Sequence, residues 1–278
     1  MFPILFEIGG FQVTSFGVSI ALSFLAGAWL AARGLKRLGE NPEHAWDLAG
    51  WAAIGGILGA KIYYLFLHFG ETAADPWGAL LSRSGLVWYG GFIGGALAVL
   101  FRLWQLKLPI WKFADGIAPA LALGYAIGRV GCFLVGDDYG APTNAPWAVA
   151  FPRGAPPSTA GNLRAFGVDV PASTPDSAVL AVHPTQLYET GMTLIVLAIL
   201  IRMRPRLAAT TGHLFFLWLA LAGVERFIVE IFRAKDDRFL GMFSVAQLIS
   251  VLLIATAAAF WVALQRRSER VPARVARA

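Results

Sequence analysis

Two arginines, Arg129 and Arg226, stand inside stretches that are otherwise apolar. A guanidinium buried in hydrocarbon costs about 2.5–3.5 kcal/mol on insertion scales, so each needs a partner or a task. Acids and proton-exchanging groups cluster beside them in the sequence: Asp137 and Asp138 just after the first, His183, Tyr188 and Glu189 at the head of another apolar stretch, and Glu230 one helical turn beyond Arg226. Glu230 therefore shares a helix face with Arg226. Two arginine forks are suited to holding one phosphate bidentately, and carboxylates, a histidine and tyrosines around it can move protons. The chemistry that these residue types suggest is work on an anionic headgroup.

The elements that must position them are membrane helices. Hydrophobic residues make up 57% of the 278 and charged residues 14%, against about 25% charged in a soluble domain. Seven apolar stretches are long enough to cross a bilayer, at about Val13 to Ala32, Asp47 to Phe69, Leu86 to Trp104, Trp111 to Leu134, Gln186 to Met203, Gly212 to Phe232 and Ser244 to Leu264. The expected fold is thus an all-α integral membrane protein of about seven transmembrane helices, one polytopic domain over 1–278. Loop charge sets its orientation. Arg33, Lys36 and Arg37, then Arg102, Lys107 and Lys112, then Arg202, Arg204 and Arg206, and the arginines of a basic tail at 265–278 fall on one side, which is expected to be cytoplasmic. The N-terminus then lies outside and the C-terminus inside. Arg129, Arg226, Lys61, Tyr89, Asp137, His183 and Glu189 all fall toward the outer leaflet. The Pro- and Gly-rich stretch at 135–184 is expected to form a small, irregular extracytoplasmic head with no apolar core of its own.

Several function classes drop out. The formal net charge of +6 resides in short loops rather than on a basic face with interleaved aromatics, so nucleic acid is not an expected partner. Cys132 is the only cysteine, which excludes an intramolecular disulfide and a multi-thiolate metal site. No His-x-x-x-His or carboxylate cluster has ligand spacing, and neither a Walker loop nor a G-x-S-x-G elbow occurs. The N-terminal MFPILFEIGG lacks the basic region and cleavage site of a removable signal peptide.

The stretch GRVGCFLVGDDYGAPTNAPWAVAFP, Gly128 to Pro152, and the heptapeptide HPTQLYE, His183 to Glu189, resemble the signatures of bacterial prolipoprotein diacylglyceryl transferases. PILFEIGGFQVTSFG near the N-terminus, WYGGFIGG, ERFIVEIFRAKDD and FSVAQLIS match in place and order, so the resemblance covers nearly the whole chain. It implies a seven-span enzyme of the bacterial cytoplasmic (inner) membrane that moves diacylglyceryl from phosphatidylglycerol to the lipobox cysteine of a prolipoprotein signal peptide. The products are a thioether and glycerol phosphate. The partners it implies are phosphatidylglycerol, the lipobox precursor and membrane lipid, with no metal and no other cofactor. On this resemblance Arg129 binds the lipid phosphate, Arg226 holds the same headgroup and Glu230 orients it. Asp137 and Gly140 shape the site, while His183, Gln186, Tyr188 and Glu189 line it. Gly90 and Gly91 belong to the binding surface, and Tyr89 stands where the family usually has histidine. Phe16 replaces tyrosine, Cys132 and Val135 replace asparagines, and Asp137 replaces glutamate. These departures leave open a related lipid-modifying enzyme with another acceptor. The charge layer alone would also suit a non-catalytic anionic-lipid binder or transporter.

Overall fold

A computed structural model describes residues 1–81, 87–234, 238–239 and 243–275. Leu86, Lys235, Asp236, Asp237 and Arg277, which belong to spans, motifs and loop charges discussed above, lie outside the described residues.

The chain opens with a hairpin, β1 (Ile4–Ile8) and β2 (Phe11–Thr14), turned by Gly9 and Gly10, both at positive φ, and runs into helix α1 (Ser15–Arg37). Helix α2 (Glu43–Leu67) is followed by two short helices, α3 (Phe69–Ala74) and α4 (Pro76–Leu81), and then by α5 (Trp88–Gln105) and α6 (Ile110–Val135). The polar stretch contributes β3 (Val149–Ala150), α7 (Ala160–Ala165) and β4 (Ala181–Val182). Helices α8 (Thr185–Leu207) and α9 (His213–Glu230) come next. A second small hairpin, β5 (Arg238–Phe239) with β6 (Phe243–Ser244), precedes α10 (Val245–Val275).

The architecture is that of an all-α, multi-pass membrane protein. Helices α1, α2, α6, α8 and the Val245–Arg266 portion of α10 are long and apolar enough to cross a membrane. Helices α5 and α9, of 18 residues each, occupy the positions of the third and sixth expected spans. Their outward faces explain why water is the wrong solvent. On α2, Ile54, Ile57, Leu58, Ile62 and Phe66 are all more than half exposed, and only lipid accommodates such an apolar exterior.

The chain divides into two compact units, Met1–Ala26 with Ala118–Ala278, and Gly27–Ile117. In the second unit α2 and α5 meet through glycine. A Cβ on Gly55 would lie 2.6 Å from the Gly94 carbonyl oxygen, and one on Gly59 would lie 2.8 Å from the Gly94 Cα. Backbone-to-backbone approach of this kind is how helices associate where lipid removes the hydrophobic drive. Ion pairs Arg102–Asp47 (2.7 Å) and Lys112–Glu40 (2.5 Å) tie the same unit at its charged loops.

In the first unit the N-terminal hairpin is anchored by the Phe2 amide donating to the Leu134 carbonyl (3.1 Å). Helices α9 and α10 close on Gly223, whose added Cβ would meet Ile254 at 2.9 Å and the Ser250 carbonyl at 3.0 Å. The stretch at 135–184 departs from expectation. It carries an apolar cluster of its own, with Tyr139, Phe151, Ala160, Leu163, Val170 and Val182 buried together and Phe133 and Ala234 joining from its borders. Composition hid this core, because its few large side chains are scattered among Pro, Gly and Ser. Ser158 binds it internally, donating to the Leu180 carbonyl (2.8 Å) while accepting from the Phe151 amide (2.9 Å).

Candidate active site

Helix α6 ends in a reversal. Gly136 (φ 76°) and Asp138 (φ 57°) both take the left-handed conformation, which glycine enters freely and aspartate tolerates better than most residues. The start of α8 is fastened onto this turn. Thr185 Oγ1 donates to the Asp138 carbonyl (2.8 Å) and Gln186 Nε2 donates to the Asp137 carbonyl (2.5 Å). Glu189 lies one helical turn after Gln186, so it projects from the same face and is 1% exposed.

Buried beside it is Arg129, whose Nε pairs with Glu189 Oε2. The other oxygen of Glu189 faces Arg226 Nη1 at 3.5 Å, and Arg226 Nη2 reaches Glu230 Oε2 at 2.6 Å. In the opposite direction Arg129 Nη1 donates to Asp138 Oδ2 (3.0 Å), and Arg233 Nη2 donates to Asp138 Oδ1 (2.7 Å). The result is one alternating chain, Glu230–Arg226–Glu189–Arg129–Asp138–Arg233. Three cations and three anions offset one another, which is what makes the buried ones, Arg129, Glu189 and Glu230, tolerable. The joint is Glu189, one carboxylate shared by both arginines.

The chain leaves donors and acceptors free at its centre. Arg129 Nη2, Asp137 Oδ1 and Gln186 Oε1 are buried without a hydrogen-bond partner among the described residues. Orphaned buried polar atoms of this kind are uncommon and call for a reason. Arg226 is one-third exposed and so is reachable from outside the protein.

Around the ions sits an aromatic cluster. Trp147 Nε1 donates to the Tyr188 hydroxyl (2.7 Å), which also shares a hydrogen bond with His183 Nδ1, 3.0 Å away. Phe232 packs edge-on against both rings. Gly140 makes the close approach possible. Its amide donates to the His183 carbonyl (2.8 Å), and an added Cβ would collide with the Phe232 carbonyl and come within 2.7 Å of His183 Cβ.

Burial, followed by the charge of Asp138, pushes the Asp137 carboxyl above the ordinary range. Burial lowers His183 and favours its neutral ring. For Asp138 burial works upward, but the Arg233 and Arg129 guanidiniums outweigh it and hold the carboxyl well below the usual range. An aspartate in the unfolded chain titrates near 3.9. Between that value and the lower folded one the unfolded chain binds more protons, so stability rises with pH. The contribution of Asp138 is complete above about pH 5 and is lost as pH falls below about 4. Thermal unfolding of the detergent-solubilised protein should show this acid limb. Asp138→Asn should flatten it while lowering the unfolding midpoint at neutral pH; an acid limb of undiminished depth in that variant would count against the assignment.

Arg129, Asp137, Gly140, His183, Gln186, Tyr188, Glu189, Arg226 and Glu230 thus gather in the first unit. Tyr89, Gly90 and Gly91 belong to the second. There Tyr89 is half-exposed and edge-on to Trp88, and Gly90 packs on Gly59 and Tyr63 of α2. Lys61, also in the second unit, is buried with its ammonium over the Tyr64 ring. Arg129 pairs with Asp138 rather than with its neighbour Asp137, because the left-handed turn aims the second aspartate back at the helix. Arg233 is a site residue that sequence reasoning missed, and Asp138, noted beside Arg129 in the sequence, was given no role there. Arg233 lies three residues beyond Glu230, past the end of α9, where helical spacing no longer points to it.

The fold also brings Cys132, Asp137 and Asp138 together, with their ligand atoms within 4.8 Å of one another, although their spacing gave no metal signal. Arg129 Nη1 already lies 3.4 Å from Cys132 Sγ. That guanidinium, with Arg233, supplies the positive charge that a cation would bring.

Between α8 and α9 runs a groove of about 440 Å³ with an almost wholly apolar lining. Tyr188, Gly191, Met192 and Ile195 form one wall, Ile228 and Phe232 the other. Tyr188 belongs both to this groove and to the histidine cluster.

Comparison with known proteins fits this geometry. The chain is 33% identical to the phosphatidylglycerol–prolipoprotein diacylglyceryl transferase of Trichormus variabilis over 275 residues, 95% of this chain and 91% of that protein. It is 32% identical to that of Clostridium tetani over 254 residues, covering 91% and 94%, and 29% identical to that of Aeromonas salmonicida over 277 residues, covering 95% and 90%. A match to the family described as prolipoprotein diacylglyceryl transferase spans residues 3–263. The arginine pair joined by one buried glutamate, which lies within that match, therefore belongs to a member of the prolipoprotein diacylglyceryl transferase family.

Proposed function

We propose that this protein transfers the diacylglyceryl group of phosphatidylglycerol to the lipobox cysteine of a prolipoprotein, at the outer face of a bacterial cytoplasmic membrane that it crosses seven times with its N-terminus outside. The observation that carries this reading is the joint at Glu189. It holds Arg129 and Arg226 against one carboxylate while Arg129 Nη2 remains without a partner. A guanidinium has five N–H donors, so Arg129 can serve Glu189 and Asp138 and still offer Nη2 to a phosphate oxygen.

In the reaction the acceptor sulfur, as thiolate, attacks the glyceryl carbon that joins the diacylglyceryl group to phosphate. The bond from that carbon to the phosphate oxygen breaks, its electron pair goes to that oxygen, and glycerol phosphate leaves, taking up the proton of the thiol. The developing charge on the phosphate falls on donors that are already fixed, and preorganised donors in a low-dielectric site are the largest single source of rate in many enzymes. A thiol brought beside the same guanidiniums also ionises more readily. His183, Tyr188, Glu230 and Asp137 shape the pocket around the phosphate, and Tyr89, Gly90 and Gly91 are assigned to the substrate-binding surface.

The groove beside Tyr188 suits one acyl chain. A peptide helix, some 10–12 Å across, is too wide for 440 Å³. A Cβ at Gly191 meets nothing within 4 Å, so a large side chain there fills the groove without disturbing the fold. Gly191→Phe should lower transfer from long-chain phosphatidylglycerol by about 10-fold and spare short-chain lipid; equal loss on both would argue that the acyl chain lies elsewhere.

The activity itself is tested by incubating purified protein with phosphatidylglycerol and a lipobox peptide. A thioether lipopeptide and free glycerol phosphate should form. No product, beside a working control enzyme, would overturn the reading.

A further inference from the structure

One buried acid of the site stands outside the ion chain. Glu225 precedes Arg226 on α9 and is 6% exposed. Among the described residues it makes no ion pair within 4 Å, whereas Glu189, Glu230 and Asp138 each do. Its Oε1 accepts a hydrogen bond from Thr193 Oγ1 of α8 at 2.5 Å. From α6, Arg129 and Tyr125 lie within electrostatic reach, and Arg226 adjoins it on α9. Helix α10 carries no Asp, Glu, Lys or Arg between Val245 and Gln265.

Two opposing effects therefore act on this carboxyl. Burial without an ion partner favours the neutral acid. The fields of Arg129 and Arg226, and the Thr193 hydroxyl, favour the carboxylate. An anionic phosphate seated on those two arginines would offset their field and tip the balance.

We infer that Glu225 makes headgroup binding proton-linked: the protein takes up a proton at Glu225 as an anionic phosphate settles on Arg129 and Arg226. This rests on the phosphate site proposed above and adds to it a built-in pH dependence, with affinity rising as pH falls. Linkage is reciprocal, and one proton taken up changes the affinity by up to about 10-fold per pH unit within the titration range.

The test is calorimetric titration of the detergent-solubilised protein with phosphatidylglycerol, in two buffers of different ionisation enthalpy and across pH. Glycerol phosphate serves as a second probe. The wild-type protein should take up as much as one proton for each lipid bound. Glu225→Gln, neutral at every pH, should bind without proton uptake and lose the pH slope. Glu225→Asp should restore it. Thr193→Val removes a donor to the charged form and should move the slope to higher pH. The same uptake in Glu225→Gln, or proton release in the wild type, would overturn the inference. Binding of neither anion would overturn both this and the phosphate site. Proton-linked binding without any thioether product would remove the enzyme reading alone.

Discussion

Lysine at Arg129 is expected to abolish most diacylglyceryl transfer, by about 10²–10³-fold in kcat, in a protein that still folds. Arg129 contacts Glu189 through Nε and Asp138 through Nη1, and Nη2 is the donor left over. A lysine ammonium is a point charge on a flexible stem and cannot serve two carboxylates and a phosphate in fixed directions. It does keep the positive charge that Glu189 needs. Alanine removes both, and breaking a buried pair by deleting one partner costs about 3–5 kcal/mol, so Arg129→Ala should lose activity and stability together. Initial rates on phosphatidylglycerol, read beside thermal midpoints, separate the two effects. A wild-type rate in Arg129→Lys would show that the fork is not used.

Glutamine at Glu189 should do the opposite kind of damage. The amide keeps the shape of the side chain but leaves the Arg129 and Arg226 guanidiniums facing each other without the anion between them. The loss of that buried partner is worth about 3–5 kcal/mol, large against a typical net stability of about 5–15 kcal/mol. Thermal unfolding and limited proteolysis should report a marked loosening at the junction of α6, α8 and α9. A high concentration of phosphatidylglycerol should recover part of it, because a bound anion replaces the missing carboxylate and stabilises by mass action. A Glu189→Gln protein as stable as the wild type, with no response to lipid, would mean that the carboxylate joins nothing.

Much of this was legible from the residues themselves. Apolar stretches of bilayer length located the helices, and α6 and α8 begin within a residue of the expected spans. The four-residue spacing of Arg226 and Glu230 foretold their pairing. HPTQLYE marked the segment that the structure fastens under the α6 turn. What escaped depends on backbone direction and on distant partners. The reversal at Gly136 and Asp138 decides which of two adjacent aspartates meets Arg129, and neither composition nor spacing encodes it. Arg233 lies past the end of α9, where helical periodicity lapses. Nothing in the sequence singles out Glu225, because Thr193, which donates to it, lies 32 positions earlier. The core of the 135–184 stretch was missed for a related reason: Tyr139, Phe151, Leu163 and Val182 are too far apart in sequence to show a period.

The central claim is that Arg129 and Arg226 grip a single phosphate. A double-mutant cycle on phosphatidylglycerol affinity tests it most directly, with Arg129→Lys, Arg226→Lys and the pair measured in the same nanodiscs. Residues that share one ligand are coupled, so the combined loss should fall well short of the sum of the two single losses. Fully additive losses, or an Arg226→Lys protein that binds the lipid as well as the wild type, would contradict the account.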